Sequence, residues 1–162
     1  MHHGPLSLLL LQDYCAKLPY TYVCADPDFE ATSEVQELIK DGQKFVFKFP
    51  ALPWAKDYGS GDLVTIRVLY RGDVGESYEY YLVTAEDKHF LGLVGEDINW
   101  PGSHCTEDYF SEDFSVSVNT FNSFLGDDHL LTIEADATLY VGPWCSPNDV
   151  YIQLFYKARQ CP

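Results

Sequence analysis

The sequence predicts an all-β protein, an antiparallel β-sandwich of seven to eight strands behind a short irregular or helical N-terminal segment. Three observations predict it. Apolar and polar residues alternate at period two in several separate runs. Clusters of Gly, Pro and Asp punctuate those runs at short intervals. Nothing alternates strand with helix, as a parallel sheet would require. Aromatic residues make up 15% of the chain, with 12 Tyr and 10 Phe, and such rings suit half-buried pleated strands.

The elements follow in order. Asp26-Pro27-Asp28 reads as a turn. Ser33-Glu34-Val35-Gln36 has the form of a capping box, and Asp41-Gly42 would end the element, which predicts a short helix over 33–40. KFVFKF over 44–49 puts Phe45, Phe47 and Phe49 on one face of a strand, and Pro50 and Pro53 close it. LVTIRVLY over 63–70 aligns Val64, Ile66 and Val68. RGDVGE is a turn, and a Tyr-rich strand over 78–86 pairs with 88–94 as a hairpin. A long loop over 96–113 precedes the short strand FSVSV at 114–118. Residues 120–125 predict a turn of helix. HLLTIEADATLYV over 129–141 and DVYIQLFYK over 149–157 are the last two strands. The expected division is an N-terminal extension, 1–42, and a sandwich domain, 43–162, of the jelly-roll kind.

Length and charge bound the function. A chain of 162 residues is one domain with one sizeable core. Its 25 Asp and Glu outnumber 10 Lys and Arg, for a formal net charge of −15. That field repels phosphate backbones and anionic lipid, which excludes nucleic acid as the expected partner. The apolar run PLSLLLL at 5–11 is too short to span a bilayer. It reads either as a signal-peptide remnant or as a first strand. His2 and His3 read as a tag remnant more cheaply than as a metal pair. Five cysteines occur, none in a CxxC pair, so zinc spacing is absent and disulfides in an oxidising compartment are expected.

The order of motifs resembles the jelly-roll modules of secreted and cell-surface adhesin-type proteins. FKFPALP, VTIRVLYRGD, FLGLVG, FSVSV and the closing V-x-I-x-L-x-Y strand carry the likeness, over about residues 43–157. In outline it is similar to P-domain and lectin-like jelly rolls. The resemblance implies adhesion, glycan or structural roles outside the cell, and no catalysis. It also implies a disulfide between a mid-domain loop cysteine and one before the last strand, here Cys105 and Cys145. Cys15 and Cys24 are further disulfide candidates, and the partner of Cys161 stays open.

Gly59-Ser60-Gly61 is not a GxSxG elbow, HExxH is absent, and His89, His104 and His129 are scattered. Paired carboxylates for glycosidic acid–base work arise by chance among 25 acids and carry no information. The chain is therefore expected not to be an enzyme. Calcium is the one cofactor for which ligands stand in loops: Asp57, Asp62, Asp73 and Glu76. Turn chemistry accounts for the same residues. Trp100, Trp144 and Tyr81 are the expected ligand-binding rings, and Tyr151 and Phe155 also lie on the polar side of their strand. The expected function is a structural or adhesive module making protein or self-assembly contacts. The alternative is a carbohydrate-binding domain, with calcium assisting.

Overall fold

The computed structural model describes residues 28–74, 76–96 and 105–159. Nine strands and one helix occur among them: β1 Asp28–Thr32, β2 Gln36–Glu37, β3 Lys44–Phe49, β4 Leu63–Asp73, β5 Tyr81–Ala85, β6 His89–Val94, β7 Cys105–Ser117, α1 Val118–Leu125, β8 Leu131–Ala137 and β9 Asp149–Lys157. They form two antiparallel sheets. One runs β1-β9-β4-β7, with β2 also on β9, and the other runs β3-β8-β5-β6. Most connections cross from sheet to sheet, which is the jelly-roll order, and the all-β sandwich is as expected.

Period two places the core. Phe45, Phe47 and Phe49 point inward from β3, and Val64, Ile66, Val68 and Tyr70 from β4. Val150, Ile152, Leu154 and Tyr156 point inward from β9. Burying each of these side chains contributes about 1.5–3 kcal/mol before entropy is charged against it. Tyr70, Tyr81 and Phe45 meet as tilted rings near the middle. Phe121 of α1 meets Tyr156 and closes one end. The helix starts where Ser117 accepts a hydrogen bond from the Thr120 amide and stops at Gly126.

Several expectations need correction. Among the described residues the sandwich already includes β1 and β2, ahead of residue 43, because they pair with β9 and bury Phe29, Ala31 and Leu38. Residues 33–40 are not a helix. The Ser33 amide donates to the Ile152 carbonyl and its hydroxyl accepts from the Ile152 amide, so the capping groups serve the sheet. The long loop ends early, since 105–113 belong to β7 and pair with β4. The strand expected over 129–141 ends at Ala137, where the Thr138 amide donates to the Tyr80 carbonyl instead of continuing the ladder.

Candidate functional site at the loop end

Antiparallel order brings three described connections to one end of the sandwich: 38–43, 74–80 and 138–148. The 138–148 loop is the most firmly held. The Thr138 hydroxyl donates to the Tyr78 carbonyl at 2.8 Å. The Gly142 amide donates to Asp73 Oδ2 at 2.7 Å, and Asn148 Nδ2 donates to the Gly142 carbonyl at 2.7 Å. The Leu38 amide donates to the Asn148 carbonyl at 2.9 Å, which ties in the first loop. A disulfide joins Cys145 of this loop to Cys105 at the start of β7, with Cα atoms 5.4 Å apart. This is the pairing that the resemblance implies.

A polar layer lies beneath the loops. Arg71 donates to both carboxylate oxygens of Asp149, and the Tyr109 hydroxyl donates to Asp149 as well. The Arg71 guanidinium also lies over the Tyr109 ring, 4.3 Å from its centre. Partial burial and the Asp149 carboxylate push the Tyr109 phenol up to about 12. Asp73, Thr106, Asn148 and Asp149 are all buried here. Gly72 permits the approach: its φ of +114° suits glycine, and a Cβ there would collide with the Asn148 side chain.

Above this layer stands an exposed apolar surface. Leu139 is 80% exposed, Tyr140 65% and Trp144 82%. Tyr78 packs edge-on against Tyr140 with ring centres 4.9 Å apart. Local desolvation, then the Glu76 and Glu79 carboxylates, hold the Tyr78 phenol above its ordinary value. The Trp144 ring lies against Gly142, and Leu139 lies against Gly42, so neither glycine has room for a side chain.

The expected site residues divide. Trp144 is on this surface. Tyr81 is not: it is fully buried, because Tyr81, Val83 and Ala85 form the inward face of β5. A ring buried there cannot meet a ligand at the surface, contrary to the expected role of Tyr81. Trp100, Cys15 and Cys24 lie outside the described residues. Asp73 and Glu76 stand at this end, whereas Asp57 and Asp62 stand before the far end of β4. That strand has eleven residues, so at about 3.3 Å per residue the two pairs are about 30 Å or more apart. Asp57 accepts from the Gly59 amide, and Asp62 accepts from the Tyr58 amide and the Ser60 hydroxyl, as turn-forming carboxylates do. Among the described residues no group of three His, Cys, Asp or Glu side chains is arranged to hold a metal.

Leu139 and Tyr140 were missed, having been read as strand. A signal was present. Leu139, Tyr140 and Val141 are three consecutive apolar residues ahead of Gly142-Pro143, which breaks the alternation of Leu131, Ile133 and Ala135.

No protein-family model matches the sequence. No characterised protein matches it either. A solved structure with a similar course of the chain is the crystal structure of dimeric latent PorU from Porphyromonas gingivalis. The TM-score is 0.43 at 10% identity, and the match covers 81% of this chain and 13% of that one. Among the described residues no helix is long and apolar enough to cross a membrane.

Proposed function

We propose that this chain is an extracellular binding module that docks a protein partner through its loop end, and that it acts by binding and not by catalysis. One observation carries the reading: Leu139, Tyr140 and Trp144 are largely exposed on a loop that a disulfide and buried hydrogen bonds hold in place. Exposed apolar side chains gathered together mark protein contact surfaces. Trp and Tyr supply much of the binding energy at such surfaces. A loop already fixed loses little entropy on docking. The disulfide supports a location outside the reducing cytosol.

Selection from a displayed random-peptide library on the full chain tests this. Enriched peptides should lose at least about tenfold in affinity, or about 1.4 kcal/mol, against Trp144→Ala or Tyr140→Ala. Peptides indifferent to both substitutions, or no enrichment at all, would remove the reading. Repeating the titration with a chelator tests calcium assistance through Asp73 and Glu76; unchanged affinity discards it.

A further inference from the structure

The outward face of the five-stranded sheet carries a second kind of surface. The register lines up its side chains in rows across the strands. Phe155 of β9 stands between Glu30 of β1 and Thr65 of β4, and Thr65 is followed by Ser115 of β7. In the next row Gln153 stands between Thr32 and Arg67, and Arg67 is opposite Asp113. On the other side of Phe155 lie Lys157 and Asp28. A single partly exposed aromatic ring is thus surrounded by hydroxyl, amide and carboxylate groups.

The face is also concave there. A depression of about 420 Å³ is lined by Phe155, Thr65 and Leu63, with Asp28, Glu30 and Lys157 among its rim residues. A smaller one of about 190 Å³ adjoins it, formed by Phe155, Thr65, Arg67 and Asp113. Phe155 and Thr65 line both. The larger volume is within the range of small-ligand sites, about 300–1,000 Å³.

Charge selects the ligand. Arg67 is held by Asp113 through two hydrogen bonds of 2.7 and 2.9 Å, and its guanidinium lies over the Phe155 ring. Lys157 is within 3.8 Å of Asp62. Arg67 is therefore committed to Asp113 and Lys157 lies beside Asp62, which weakens the hold of this face on phosphate, sulfate or an acidic sugar. Asp28 and Glu30 on the rim further disfavour an anion. What remains is a flat apolar ring, covered on one face by Arg67 and bordering the larger depression, edged by groups that accept and donate hydrogen bonds. That combination suits a neutral, hydroxyl-rich ring, whose C–H face packs on the aromatic while its hydroxyls bond the rim.

We propose that this face binds a neutral saccharide, one pyranose unit packed in the larger depression on the side of Phe155 that Arg67 leaves open, with its hydroxyls bonded by Glu30 and Thr65. The site is separate from the loop end: Phe155 lies near the far end of β9, whereas the loop 138–148 leads into its start at Asp149.

The test uses the full chain and an array of neutral hexose oligosaccharides, with saturation-transfer NMR on any that bind. Phe155→Leu keeps apolar bulk but removes the flat ring, and should weaken binding at least about tenfold, or about 1.4 kcal/mol. Thr65→Val and Glu30→Ala probe the rim without disturbing the core, and each should weaken binding severalfold. Trp144→Ala should leave it unchanged. Absence of binding at millimolar neutral sugar would overturn the proposal. So would binding that survives Phe155→Leu, binding that is lost with Trp144→Ala, or binding confined to acidic glycans or oligolysine.

Discussion

Tyr81 shows how one side chain can be packed well and yet carry a cost. Its ring meets Phe45 and Tyr70 in the core, and its hydroxyl is buried with no hydrogen-bond partner among the described residues. Desolvation, then the carboxylates of Asp73 and Asp149, raises its phenol above the ordinary value of 10.0. An unpaired buried hydroxyl costs about 1–3 kcal/mol relative to one in water. Tyr81→Phe keeps the ring and removes that group. Denaturant titration should find the variant as stable as the parent or more stable, by up to about 1 kcal/mol. A loss above that amount would mean that the hydroxyl has a partner. Neighbouring Tyr70 differs, since its hydroxyl donates to Glu112, whose carboxylate also accepts from the Gly95 amide.

At the scale of elements, the edges and the loops set the behaviour. The edge strand β7 carries Glu107, Asp108, Glu112 and Asp113, and β3 on the other sheet carries Lys44 and Lys48. Charged edges resist pairing with another chain. The edge strand β6 has no such charge, and a register shift opposite Val83 and Thr84 interrupts it instead. The loop end depends on its covalent tie. The disulfide closes a separation of 40 residues, for which the chain-entropy relation gives about 4 kcal/mol. Replacing both Cys105 and Cys145 by Ser should lower unfolding stability by about 2–4 kcal/mol. Hydrogen exchange should show the backbone of 138–148 opening before the sheets do. Equal protection of that loop with and without the bond would show that the hydrogen bonds from Asp73 and Asn148 hold it alone.

At the scale of the molecule, charge and buried phenols act together on the alkaline side. The chain already carries a formal −15, and each ionised tyrosine adds to it. Tyr109 has its phenol raised from 10.0 to about 12, and those of Tyr70 and Tyr81 are raised as well. A raised folded value means that the stabilisation is complete below pH 10.0 and is lost as pH rises toward about 12. Stability measured from pH 9 to 12 should therefore fall across that window, and Tyr109→Phe should flatten part of the fall. A flat profile in the parent would contradict the buried environment of these rings.

Much of this fold is legible in sequence, for a local reason. β3, β4 and β9 alternate apolar with polar because each buries only one face, so period two shows in the residues themselves. The same rule put Phe155 and Tyr151 outside. The outer half of β7 was not legible, because an acidic edge strand buries little and its pattern is faint. Nor were β1 and β2, which are short and owe their conformation to hydrogen bonds with β9. By itself the sequence determined the sandwich class, the inward faces and the acidic surface, all of which follow from side-chain type along the chain. Only the tertiary structure decided that residues 139, 140 and 144 stand exposed at one end while Tyr81 is buried beneath them. The reason is that exposure depends on which loops meet and where a strand stops, and those are settled by partners distant in the chain.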